Sequence, residues 1–184
     1  MKSRSEGTTK RTARARRGVD AAARSRTDAL AFHRALTDLV RVYQFRDRER
    51  ICCYDVSVTQ CYALEALVLR GPLTLNALAS ELYLDKSTAS RVVDGLEAKG
   101  YVTRRPHPES RRSLLLAATP SGRRLHARIE AELVAQEERL LAEFAPDVRR
   151  AMTRVLENLG RAAAARIEVS GGACCWTEPV QLKT

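Results

Sequence analysis

From Leu73 to Arg105 the chain reads LTLNALASELYLDKSTASRVVDGLEAKGYVTRR, and the spacing of its apolar residues decides the fold. Leu75, Leu78, Ala79 and Leu82 share one face of a short helix, with Thr74 placed to cap its first N–H groups. Ala89, Val92, Val93 and Leu96 form the inward stripe of a second helix, which Gly100 stops. A turn at Tyr83 to Asp85 is all that separates the two. Two short helices joined so tightly match a helix-turn-helix unit.

Working outward, Tyr101 to Arg105 and Ser113 to Ala118 read as the strands of a hairpin with a polar loop, Pro106 to Arg111, between them: a wing beside the helical pair. Thr119 at an N-cap and Pro120 at the first helical position open a long helix through Leu125, Ile129, Leu133, Leu140 and Leu141 to about Phe144. Pro146 starts a last helix with Val148, Met152, Val155, Leu156 and Leu159, which fades between Ala162 and Arg166. On the N-terminal side, Ser57 or Thr59 caps a helix through Cys61, Leu64, Leu67 and Val68, stopped by Gly71 and Pro72. Before it, Leu30, His33, Leu36, Val40 and Tyr43 stripe a helix from Thr27 to near Arg50, and Ile51 to Val56 has no helical period. The first and last two helices carry more apolar face than a small winged domain covers, which points to a helical dimer interface. The fold class is mainly α with a small β-hairpin wing (α+β), a winged helix-turn-helix with a helical dimerisation region.

A chain of 184 residues suits one domain, and 45% hydrophobic with 29% charged residues suits a packed core. No apolar run approaches the roughly 18 residues of a membrane span, and the basic N-terminus has no apolar stretch behind it, so neither a span nor a secretory signal is expected and a cytoplasmic protein is. The net charge is +10, of which residues 1 to 26, with nine basic and two acidic residues, hold +7. Such an arm suits binding to a phosphate backbone, with counterion release, or serves only as a disordered, solvated tail. The expected divisions are this arm (1–26), a dimerisation helix and junction (27–56), the winged helix-turn-helix (57–118), C-terminal dimerisation helices (119–168) and a flexible tail (169–184). His33, His107 and His126 are scattered, and neither a Gly-rich phosphate loop nor a nucleophile elbow occurs, so enzymatic activity is not expected.

The stretch LASELYLDKSTASRVVDGLEAKGYVTRRPHPESRRSLLLAATPSGRRL, Leu78 to Leu125, resembles the MarR family of winged helix-turn-helix transcriptional regulators, and the flanking helices extend the likeness over most of Thr27 to Arg166. The resemblance implies a homodimer whose first and last two helices pair the subunits. It also implies that the helix from about Lys86 to Lys99 enters the major groove of an operator duplex while the wing lies along the minor groove. Where the family's wing carries Asp-Arg, Ser110 here precedes Arg111, with Glu109 one place earlier. Read as residues alone, Lys86, Ser87, Thr88, Ser90 and Arg91 are the candidates for reading DNA: short hydroxyls permit close approach, and Arg91 suits a bidentate contact to guanine. Arg111 and Arg112 suit phosphates or a narrow minor groove.

Five cysteines form two clusters, Cys52, Cys53 and Cys61 in ICCYDVSVTQC and Cys174 and Cys175 in SGGACCWTEP. Clustered thiols in a cytoplasmic chain point to metal binding or thiol chemistry more than to disulfide stapling. Soft thiolates select trivalent arsenic, mercury, cadmium, zinc, copper(I) or an iron-sulfur cluster, and three sulfurs without a nearby histidine favour arsenic over four-coordinate zinc. Along a straight helix Cys53 and Cys61 stand about 12 Å apart, so one ion reaches both only if the chain folds back near Asp55. The tail pair then offers a third thiolate. Open alternatives are a redox-sensing repressor of the same fold, a metal-buffering or redox protein that binds nucleic acid without sequence preference, and, for Cys61, a buried small apolar side chain. The leading expectation is a repressor released from its operator by a thiol-directed effector.

Overall fold

The computed structural model describes residues 5–169, and for residues 5–23, 52, 110–112 and 167–169 the backbone alone. It divides into two compact units between Cys53 and Tyr54. The first unit is essentially one helix, α1 (Ser5–Ile51). Its start lies well ahead of Thr27, where the apolar stripe begins, so the backbone of residues 5–26 is helical where the sequence suggests a disordered arm. Alanine and arginine dominate that segment and both are strong helix formers, which extends the helix beyond its amphipathic part. A 3₁₀ turn, Cys52–Tyr54, follows, and Asp55 takes a left-handed φ of 56°.

The second unit is built around α2 (Val58–Leu69). Of the two cap candidates the structure selects Ser57: its Oγ accepts the Gln60 N–H at 3.1 Å, and the Gln60 side chain accepts the Ser57 N–H at 3.0 Å, a complete capping box. Ala63 and Leu64 are wholly buried, and Cys61, Ala66 and Leu67 nearly so, because α2 packs against α3 (Leu75–Glu81), α4 (Lys86–Ala98), α5 (Pro120–Leu141) and the sheet. Leu78, Ala89, Val93, Leu96, Val102, Leu116, Leu125 and Ile129 complete this core. Last comes α6 (Pro146–Val169), which continues past Arg166.

The sheet is antiparallel, in the order β1, β3, β2, from β1 (Leu73–Thr74), β2 (Val102–His107) and β3 (Ser110–Ala118). Val102 pairs with Ala118 and Arg104 with Leu116, while Leu73 pairs with Leu116 on the other side of β3. The hairpin is longer than the sequence suggests. A register shift at Pro106/His107 lets the ladder close at His107↔Ser110, where the Glu109 N–H is donated to the His107 ring, so Arg111 and Arg112 stand in β3 and not in the loop.

Candidate nucleic-acid interface

The DNA-facing candidates converge on α4. Its apolar side, Ala89, Val93 and Leu96, is buried, which leaves Lys86, Ser87, Arg91 and Asp94 exposed and Thr88 and Ser90 half-buried. Asp85 caps the helix, and its carboxylate gathers three donors. The Ser87 hydroxyl donates to Oδ1 at 2.5 Å, the Thr88 N–H to the same oxygen at 2.9 Å, and the Thr88 hydroxyl to Oδ2 at 2.6 Å. These bonds, led by the one from Ser87, hold the Asp85 carboxyl far below the usual carboxylate range, so it is ionised at any pH at which the protein functions. Among the described residues none pairs with Arg91, whose guanidinium is therefore open to a ligand.

The other end of α4 is held on two sides. Arg104, on β2, reaches back to the helix, donating to Asp94 Oδ1 at 2.6 Å and to Glu97. The Asp94 bond, opposed by partial burial and supported by Glu97, raises the Arg104 guanidinium above its ordinary value. On the α2 side the Lys99 ammonium donates to the Asp55 carbonyl and lies 3.5 Å from Gln60 Oε1. Gly95 lies against the Gln60 amide, and a Cβ there would push that side chain aside. Gly100, with φ of 73°, turns the chain into β2, and its carbonyl accepts the hydroxyls of Thr119 and Ser121 at 2.7 and 2.9 Å. The helix is thus fixed to the wing, to α2 and to the start of α5, and only its N-terminal half is left to meet a partner.

The side chains of Arg111 and Arg112 lie outside the described residues, although their backbone follows β3. Of the thiols, Cys61 is buried in α2, and Cys53 is exposed with its Sγ 3.8 Å from the Glu49 carbonyl. Cys174, Cys175 and the Cys52 side chain lie outside the described residues. Among those described, no group of three or more His, Cys, Asp or Glu is placed to hold a metal ion, and no helix is long and apolar enough to cross a membrane.

Arg104 is the contributor that sequence reasoning overlooked. Its signal is an acidic pair three residues apart, Asp94 and Glu97, followed past a glycine turn by a basic strand, a pattern that acquires meaning only when the strand is known to return across the helix.

Comparison with known proteins agrees with this geometry. The sequence pattern of the MarR family matches residues 54–113, which run from the end of the 3₁₀ turn into β3, the second strand of the wing. The chain is similar to a transcriptional regulatory protein assigned to the hcr operon of Thauera aromatica, 32% identical over 123 residues, 66% of this chain and 74% of that one. Among solved structures it is similar to a MarR transcriptional regulator of Methanosarcina mazei, with a TM-score of 0.64 at 26% identity over 72% of this chain and 95% of that one. A MarR family protein of Bacillus stearothermophilus shares the fold, with a TM-score of 0.69 at 24% identity over 76% and 96% of the two chains.

Proposed function

The chain belongs to the MarR family of DNA-binding transcriptional regulators, and from that premise we propose that it acts as a cytoplasmic homodimeric repressor whose α4 reads a pseudo-palindromic operator and whose release is set by a thiol-directed effector. One observation carries the DNA-reading assignment. The N-terminal half of α4 exposes Lys86, Ser87 and Arg91, with Thr88 and Ser90 half-buried beside them, while its C-terminal half is pinned by Arg104, Gln60 and Lys99. Arg91 donates to guanine in the major groove, and Arg111 and Arg112 serve phosphates or the minor groove. Pairing of two copies is supported by the exposed apolar residues of the single chain: Leu30, Phe32, Val42 and Phe45 on α1, Val134 and Leu140 on α5, and Val155 and Leu156 on α6. Selection of bound duplexes from a randomised pool by the full chain, followed by competition, tests the reading. A selected duplex should bind about 10³-fold or more tighter than random DNA, and equal binding would hand the protein to the non-specific alternative.

The effector assignment draws on the thiols. Cys61 directly follows Gln60, the residue whose amide bears on Gly95 of α4, so a change at Cys61 has a short route to the reading helix. Exposed Cys53 offers an accessible first thiolate, and Cys52, Cys174 and Cys175 complete the candidate set, with trivalent arsenic the favoured ion. Moving a dimer from mostly bound to mostly released requires an effector preference of up to about 5.5 kcal/mol for the released geometry, within reach of several thiolate bonds. With phenylarsine oxide as the probe, Cys61→Ser should keep operator binding and lose release, and Cys53→Ser should behave alike. Undiminished release from Cys61→Ser at the wild-type concentration sinks the assignment, and release by peroxide alone transfers it to thiol oxidation.

A further inference from the structure

The cap of α4 decides what its first hydroxyls can ask of DNA. An ionised carboxylate only accepts, so in the Ser87–Asp85 and Thr88–Asp85 bonds the hydroxyl hydrogens are the shared protons, and both are committed to Asp85. What remains on Ser87 Oγ and Thr88 Oγ1 is lone pairs. Phosphate and deoxyribose oxygens of DNA are acceptors too, so neither hydroxyl bonds to the backbone while the cap is intact. Donors in the major groove occur in two places only, the 6-amino group of adenine and the 4-amino group of cytosine.

We propose that the Asp85 cap turns Ser87, and behind it Thr88, into obligate acceptors, so that the N-terminal turn of α4 specifies the exocyclic amine of an adenine or cytosine in each half-site. This rests on the DNA-reading role of α4 given above. Ser87 is the exposed member and carries the contact, while half-buried Thr88 sits deeper against the helix. Arg91 stands four residues on, one turn along the same face, and supplies the opposite chemistry: donors for the O6 and N7 acceptors of guanine. The face therefore alternates an acceptor with a donor along the groove. Asp85 also has an unused lone-pair position on Oδ2, and its negative charge at the rim disfavours phosphate and favours an amine edge.

The test uses the full chain and the duplex that it selects from a randomised pool. In each half-site every adenine is replaced, one at a time, by a purine lacking the 6-amino group, and every cytosine by a pyrimidine lacking the 4-amino group. Wild-type protein should lose about fivefold in affinity at one such position, as expected for a single hydrogen bond. Ser87→Ala should be indifferent to that replacement and keep the wild-type affinity for random DNA, since no backbone contact is removed. Asp85→Ala, which frees both hydrogens, should shift preference at that position toward an acceptor edge, the O4 of thymine or O6 of guanine. Should Asp85→Ala prove unstable, Ser87→Ala and Thr88→Val leave the carboxylate cap in place and decide alone. The proposal falls if both keep the full wild-type sensitivity to amine removal, or if Ser87→Ala weakens operator and random DNA alike, the mark of a backbone contact. It falls equally if Ser87→Ala becomes indifferent to loss of a guanine or thymine acceptor. Failure of the wild-type chain to select any sequence overturns the DNA-reading role itself, which separates that result from the others.

Discussion

α2 and α4 differ by a single residue in length, twelve against thirteen, and each begins with a side-chain cap, yet they serve opposite ends of the molecule's work. The cap of α2 faces its own helix: Ser57 and Gln60 satisfy each other's backbone, and the helix behind them is buried against four elements. The cap of α4 faces solvent and commits the protons of the Ser87 and Thr88 hydroxyls to Asp85. Five residues of α2 are buried, against three of α4, so half of α4 is free of the core. The same local device, an N-cap, closes a buried scaffold helix in one case and, on the function proposed above, sets the chemistry of a reading face in the other.

The sharpest way to break this division is to cut into α2. Leu64 is wholly buried at the meeting of α2 with its neighbours, and Leu64→Ala should cost about 2 to 5 kcal/mol of unfolding free energy, the range for a truncated core leucine. Denaturant unfolding reads the loss directly. At temperatures where the variant remains folded, its preference between operator and random DNA should stay that of the wild type. A change in sequence preference larger than the loss in stability would show that α2 takes part in reading, and the comparison would fail.

On the α4 side the effect should reverse. Arg91→Ala removes an exposed side chain with no partner among the described residues, so stability should move by no more than about 0.5 kcal/mol. Operator binding should weaken by about 1 to 3 kcal/mol at one base pair of each half-site, relaxing preference there. Arg111→Ala should instead weaken operator and random DNA alike and lower the salt slope by about one unit. Competition assays at several salt concentrations separate the two patterns, and a uniform loss for Arg91→Ala would remove it from the groove.

These contrasts also mark what the sequence discloses. The stripe of Ala89, Val93 and Leu96 and the caps at Thr74 and Thr119 are local features, legible because apolar period and cap chemistry depend only on near neighbours. The Asp85 cap hid inside a turn, and its capture of Ser87 and Thr88 needs the φ and ψ of the cap residue, −68° and 155°, to be known. Arg104 was invisible for a longer-range reason: its partners lie seven and ten residues away, across the Gly100 turn. The two residues of β1 are too short to show a period, and the length of the wing ladder depends on one bulge at Pro106. The helix over residues 5–26 follows propensity where a search for amphipathic stripes finds nothing. For the thiols, composition raises soft-ligand chemistry only as an expectation, because whether sulfurs meet depends on how separate segments are placed, which spacing along the chain does not encode.

The smallest expected effect probes the seam between the two helices. Lys99, at the C-cap of α4, donates to the Asp55 carbonyl and lies 3.6 Å from the Asp55 carboxylate, whose side chain is 85% exposed. A pair so open to water is screened, and Lys99→Met, which keeps the aliphatic stem, should cost less than about 1 kcal/mol of stability at low salt. The difference should shrink further in 1 M salt, where the Debye length is about 3 Å. Operator affinity in the absence of effector should change little, because Arg104 and the Gln60–Gly95 contact still hold α4. The response to effector is the more telling reading. If a change at Cys61 reaches α4 through the start of α2, loosening one of the two ties there should raise the phenylarsine oxide concentration needed for half-release. An unchanged release curve with the expected small stability loss would leave Gln60 against Gly95 as the route between the helices, and a stability loss of several kcal/mol would show that this seam belongs with the buried scaffold of α2.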